Sequence, residues 1–204
     1  MLLFKEMQSI VPYCIIRNNK IWRNGGIIFE KHEVSLDDFM QEGYSTLKIS
    51  YPRFYKMDRL SKLGFLAAEI LLSGLQKKWE ANQIGLVLSN SNSSLDTDIR
   101  YWDTVKTITS PSLFVYTLPN IVAGEICIRH GIKGENLFFV LPQFDAEWMT
   151  SYVDLLLISG RAKYGLAGWI DVQNDRADVF LYLTDQPIPA TKLLELYHDG
   201  TVDA

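Results

Sequence analysis

Gln143 stands at the position where chemistry would be sought first. It lies in Leu137-Phe138-Phe139-Val140-Leu141-Pro142-Gln143-Phe144-Asp145. The apolar run predicts a buried strand, and the proline and aspartate predict a sharp turn into a helix over Asp145 to Ile158. In α/β enzymes such an elbow presents a nucleophile at a helix N-terminus, where the dipole favours negative charge. A glutamine amide has no ionisable nucleophile at neutral pH, so the frame is present without a reactive atom.

Other candidate groups carry less. Cys127 falls inside a predicted helix between Ile126 and Ile128, and Cys14 on a predicted strand, so both read as core residues. Glu30, His32 and Glu33 have metal-ligand chemistry but no fourth ligand at a useful spacing; they read as a solvated turn, and no metal or cofactor is expected. Asp145 and Glu147 sit where carboxylates complement a helix dipole. The polar segment Ser89-Asn90-Ser91-Asn92-Ser93-Ser94 follows an apolar strand, and reads either as backbone N–H groups offered to an anion or as a solvated turn. Asn120 opens a helix near the elbow. Five tryptophans are dispersed and make no stacking platform.

The elements that must position these groups follow from pattern. Residues 8 to 35 read as short strands with turns at Asn18-Asn19 and Asn24-Gly25-Gly26. Residues 36 to 51 look irregular, with a short helix started by Ser35. Tyr55 to Leu75 is the clearest helix, ended by Gly74, and Ile84 to Leu88 a buried strand. Ser110-Pro111 begins a loop, and Pro119-Asn120 opens a helix to about Arg129, ended by Gly131. Strands Tyr164 to Val172 and Asp178 to Leu183 and a short helix Thr191 to Tyr197 complete the order. Helices alternating with apolar strands give an α/β layered domain with a largely buried sheet, and nothing divides residues 1 to 204 into two domains.

Composition narrows the function classes. A net charge of -4 without a cluster of Lys or Arg argues against a nucleic-acid surface. Two cysteines fit a reducing cytoplasm rather than a disulfide framework. Leu2-Leu3-Phe4 is too short for a signal peptide, and no membrane span is expected.

Ordered short elements resemble the β-ketoacyl-acyl carrier protein synthase family, of thiolase fold. They are Ser110-Pro111, then Thr117-Leu118-Pro119-Asn120-Ile121-Val122-Ala123-Gly124, then Gly131-Ile132-Lys133-Gly134. In that family the catalytic cysteine lies nine residues after the second glycine of the turn, which here is Gln143. A glycine seventeen residues on corresponds to Gly160, and one on the next strand to Gly168. Upstream, Met57-Asp58-Arg59-Leu60-Ser61-Lys62-Leu63 is similar to a helix start of many members, and Ile84-Gly85 to Ser89 to the strand after it. The match is best over residues 53 to 183 and covers one half of a two-half enzyme.

The resemblance implies a thiolase-like half domain with helices on both faces of the sheet. Gln in place of the cysteine marks chain-length-factor subunits, the non-condensing partners of ketosynthases. The family's two histidines come from the second half, and after Gly168 this sequence has only His198. The implied role is a non-catalytic subunit in fatty-acid, aryl-polyene or polyketide-type assembly. It would bind a full ketosynthase, or itself, through the strand at Leu137 to Leu141, and contact acyl carrier protein. Gln143, Phe144 and Asn120 are the implied binding residues. The alternative is a malonyl-carrier decarboxylase or acyl-binding module acting with a partner chain. The bulk of Phe144, Glu147 and Trp148 implies a narrowed or blocked acyl tunnel.

Overall fold

The computed structural model describes residues 11–73 and 79–199. Met1 to Lys5, Gly74 and Leu75 lie outside the described residues. Seven described strands form one sheet: β1 Tyr13–Arg17, β2 Lys20–Arg23, β3 Gly26–Glu30, β4 Ile84–Asn90, β5 Asn136–Val140, β6 Tyr164–Gln173 and β7 Arg176–Thr184. Their order is β3-β2-β1-β7-β6-β4-β5. β4 runs parallel to both β5 and β6, and the remaining pairs are antiparallel.

Local chemistry fixes the two N-terminal hairpins. Asn18, Asn19, Asn24 and Gly25 all take positive φ, the conformation that two-residue hairpin turns require and that Asn and Gly tolerate best. The short helix expected after Ser35 forms and is longer than expected: α1, Leu36–Thr46, fills most of the segment read as irregular. Ser35 starts it, its Oγ accepting from Asp38 N at 3.1 Å.

The helix expected from Tyr55 is two elements. A 3-10 turn, Pro52–Lys56, precedes α2, Arg59–Ser73. Asp58 separates them: its Oδ1 accepts from Ser61 N at 2.9 Å and its Oδ2 from Thr97 Oγ1 at 2.6 Å. Phe54 and Met57 are buried together with Leu60 and Leu63, so the apolar spacing runs across the break.

Next come α3 Leu95–Val105, α4 Pro111–Phe114 and a 3-10 turn Val115–Thr117, where only a loop from Ser110 was expected. Helix α5, Ile121–His130, starts after Asn120, which leaves Pro119 outside the helix rather than in its first turn. α6 is Ala146–Ile158 and α7 Ala190–His198.

Apolar side chains fill both faces of the sheet. On one face Phe39, Leu63, Leu66, Leu71 and Ile126 from α1, α2 and α5 meet Ile16, Leu88, Leu166 and Leu181. On the other, Met149, Val153, Leu156 and Leu193 from α6 and α7 meet Ile15, Val87, Ala167 and Phe180. The domain is therefore a layered α/β fold with helices on both faces. Among the described residues no single helix is long and apolar enough to cross a membrane.

Candidate functional site

The elbow forms as a strand, a tight turn and a helix. Leu141 N donates to Asn90 O at 2.8 Å, which carries the β4–β5 pairing one residue past the strand. Pro142 and Gln143 are exposed, and Phe144 turns into the core. Asp145 caps α6, its Oδ1 accepting from Trp148 N at 2.9 Å.

Phe144 anchors the turn. Its ring stacks on Tyr197 of α7 at 4.3 Å and meets the edges of Phe180 at 5.6 Å and Trp169 at 6.4 Å. Tyr197 is itself held: its OH donates to Asp178 Oδ2 at 2.6 Å, and the Arg17 guanidinium lies over its ring at 4.2 Å. Burial and the Asp178 carboxylate raise the Tyr197 phenol above its ordinary range, so it stays protonated and donates. Trp148 stacks on Tyr152 at 5.0 Å and meets Phe139 at 4.1 Å, which packs α6 on β5.

Gln143 has no hydrogen bond among the described residues and presents its amide to solvent. Chemically it can donate and accept hydrogen bonds but not attack. Surface cavities of about 410, 440, 430, 370 and 540 Å³ lie elsewhere, and neither Gln143 nor Phe144 lines them. Asn120 is exposed and its side chain makes no cap bond, so the structure does not join it to Gln143.

The polar segment after β4 is not a solvated turn, and the anion it binds is the chain's own. Ser89 and Asn90 belong to the strand and are fully buried. Ser91 N and Asn92 N do point at an anion, the Asp171 carboxylate, with both bonds to Oδ1 at 3.1 Å. Ser91 Oγ and Asn92 Nδ2 hold its other oxygen at 3.0 and 2.7 Å. The nest is thus filled by a side chain of this chain, and no local signal pointed to a residue on β6.

Two glycines of the turn-and-strand spacing have backbone reasons. A Cβ on Gly134 would lie 2.1 Å from Ile84 O, and one on Gly168, at φ +154°, 1.9 Å from Phe180 O. Gly134 therefore lets the loop before β5 touch β4, and Gly168 lets β6 and β7 meet at Leu181.

Arg59 was missed as a structural hub. Its guanidinium reaches Asp37 at 2.7 Å, Asp96 at 3.4 Å, Asp175 at 3.1 Å and Asn174 O at 3.0 Å. It ties α1, α2, α3 and the β6–β7 hairpin together, and the arginine holds the Asp37 carboxyl below its ordinary range.

The remaining candidates are structural. Cys14 is fully buried, which pushes its thiol up to about 12, and Cys127 is half-buried with its thiol also raised by burial. His32 lies 3.6 Å from Glu30 on the surface. Among the described residues no three His, Cys, Asp or Glu side chains gather as metal ligands.

Part of the exposed surface is apolar. α3 buries Thr97, while Leu95, Ile99, Trp102 and Val105 recur at helical spacing on an exposed stripe. Ile99 is 57% and Trp102 63% exposed. Phe114, Val115 and Leu118 are exposed on the elements that follow, and the Phe114 ring lies 5.4 Å from Tyr101 of α3. β5 lies at the sheet's edge rather than in its centre, with Val140 55% exposed.

No family model and no curated protein matches this chain. Solved structures do. The ishigamide ketosynthase/chain length factor superposes with a TM-score of 0.62 at 16% identity, over 87% of this chain and 61% of that one. A type II polyketide acyl-carrier protein in complex with its hexaketide-bound ketosynthase, AntDE:AntF, gives 0.59 at 14% identity, over 91% and 63%. The ketosynthase ApeO in complex with its chain length factor ApeC, from Xenorhabdus doucetiae, gives 0.55 at 10% identity, over 87% and 80%. The chain thus spans less than two thirds of the first two. It has the thiolase-like half fold of ketosynthase and chain-length-factor proteins.

Proposed function

We propose that this chain is a non-catalytic, chain-length-factor-type subunit. It docks on a full ketosynthase during fatty-acid, aryl-polyene or polyketide-type chain assembly. The observation that carries this reading is the outward apolar stripe of α3, continued by Phe114, Val115 and Leu118. A helix that exposes Leu95, Ile99, Trp102 and Val105 while burying Thr97 is patterned for a partner rather than for its own core. Among the described residues the outer edge of β5 is unpaired and offers backbone N–H and C=O groups for strand pairing, with apolar side chains on the strand. The structural neighbours carry names of ketosynthases, chain length factors and an acyl-carrier protein complex, which supports a ketosynthase as the partner and carrier protein as a further contact.

Catalysis is absent from the proposed role because Gln143 supplies no nucleophile and Phe144 fills the space behind the elbow with its ring stack. An acyl chain entering there would have to displace that ring.

Co-expression with a full type II ketosynthase, followed by purification and sizing, tests the reading. A stable one-to-one complex is expected, weakened by Trp102→Glu and by Val140→Lys. Acyl transfer onto this chain from an acyl carrier protein, or failure of the wild-type chain to associate with the ketosynthase at micromolar concentration, would sink it.

A further inference from the structure

A second surface feature lies on the α2 side of the sheet. A groove of about 430 Å³ is lined by Arg23 at the end of β2, Ile28 of β3, the loop Leu47 to Ser50, Ile70 and Ser73 of α2, and the Glu69–Arg129 pair. Its walls divide by chemistry. Ile28, Leu47, Ile49 and Ile70 supply an apolar side. Arg23, Lys48 and Arg129 supply three cations against one carboxylate.

That carboxylate is engaged. Glu69 accepts from Arg129 Nη2 at 2.6 Å and from Nε at 2.8 Å, and the Arg129 guanidinium also lies 5.2 Å from the Tyr51 ring centre. Arg23 and Lys48 have no acidic partner among the described residues. Arg23 is half-buried, and its Nε is buried without an acceptor. A buried charged donor without a partner is unfavourable, so it marks a place where an acceptor is missing.

Lys48 adds an independent observation. Its backbone is left-handed, at φ +54°, where the chain leaves α1. Lys48 N donates to Ser45 O at 3.1 Å and Ile49 N to Tyr44 O at 3.3 Å, which closes the helix end. Glycine is the residue of least strain there. The lysine accepts the strain and lines the groove.

We propose that this groove binds an amphipathic anion, a carboxylate or phosphate group carried on a short hydrocarbon stem. The head group lies between Arg23 and Lys48 as a charge-assisted hydrogen-bond acceptor. The stem lies along Ile28, Ile49 and Ile70. The site is independent of the partner surface proposed above, which is built from α3, the elements after it and β5.

Amide chemical-shift titration of the full chain tests it, with octanoate, octyl phosphate, 1-octanol and inorganic phosphate as probes. Saturable shifts at Ile28, Ile49 and Ile70 are expected with octanoate or octyl phosphate, and the tighter of the two identifies the head group. Octanol and inorganic phosphate should each bind at least about tenfold more weakly, because each lacks one of the two contacts. Arg23→Gln and Lys48→Gly should each weaken binding by about fivefold or more. Lys48→Gly also relieves the left-handed strain, so its folding is secure and its loss of binding is informative. Shifts mapping elsewhere, octanol binding as tightly as octanoate, or unchanged affinity in Lys48→Gly would overturn the proposal. So would Arg23→Gln lowering the melting temperature while leaving octanoate affinity intact, since Arg23 would then serve only the fold.

Discussion

Gly168→Ala and Gly124→Ala are one chemical change with opposite expected signs. Gly168 sits in the sheet between Leu88 of β4 and Leu181 of β7, at φ +154°. A methyl group there would lie 1.9 Å from Phe180 O and 2.9 Å from Leu181 Cα, both main-chain atoms that cannot rotate away. The disfavoured φ costs about 1–3 kcal/mol. Prying the ladder apart adds about 1–3 kcal/mol more. The sum, about 2–6 kcal/mol, is a large part of a total near 5–15 kcal/mol. Gly124 lies on α5 with nothing within 4 Å of an added Cβ. Alanine there gains about 0.5–1 kcal/mol of helix propensity. With a urea slope of about 2 kcal/mol/M, the midpoint should fall by about 1–3 M for Gly168→Ala and rise by about 0.3–0.5 M for Gly124→Ala. Urea melts followed by circular dichroism measure both. A Gly168→Ala midpoint within about 0.2 M of wild type would refute the packing of β6 on β7 described above.

Arg59→Ala should destabilise the chain by about 1–2 kcal/mol in the same melts, because the half-buried Asp96 would keep only Arg100, at 3.9 Å, while the more exposed Asp37 and Asp175 lose little. Little or no loss would mean that the hub does not organise α1, α2 and α3. His130 is largely but not fully buried beside Glu69, with Nε2 3.5 Å from the carboxylate and Arg129 adjacent. Burial holds its pKa below the ordinary 6.5 despite Glu69. The unfolded chain therefore takes up the proton first, so this contribution is complete above pH 6.5 and declines as the pH falls through 6.5 toward the folded value. Urea midpoints taken across that window should fall on acidification, and His130→Gln should flatten the dependence. Gln143→Cys should place an exposed thiol that iodoacetamide alkylates, yet yield no condensation with acyl and malonyl carrier substrates. His130 lies among the residues of α5 and α2, and His32 is on the surface beside β3, so the chain cannot bring two histidines to the elbow. Condensation by that single variant would overturn the non-catalytic reading.

Much of the fold was legible where geometry is set locally. Asn18-Asn19 and Asn24-Gly25 demand left-handed turns, and Asp145 followed by an apolar run demands a capped helix; all of these form. The limits of α2 were blurred because a 3-10 turn and an α-helix in succession can bury the same side, as Phe54, Met57 and Leu60 do. α3 escaped for a different reason. Its apolar spacing is regular, but spacing reports only that a face exists, and here the face is outward. The Asp171 nest and the Arg59 hub join residues tens of positions apart, and no local pattern encodes such pairs.

The elbow separates what holds a site together from what reacts in it. Its geometry depends on Phe144 stacked on Tyr197, on the Asp145 cap and on the Leu141–Asn90 hydrogen bond. Each of these involves a neighbour of Gln143, and none involves Gln143 itself. Position 143 is exposed and makes no bond among the described residues, so its identity has little leverage on folding. A nucleophile can therefore be absent there at almost no structural cost, while the strand, turn and helix around it stay fixed by the core. Retention of the frame consequently says nothing in favour of catalysis. What the frame continues to do is hold β5 at the sheet edge and α6 against it through Phe139, Trp148 and Tyr152. That edge is part of the surface proposed above for a partner, and in that proposal the elbow serves docking through packing alone.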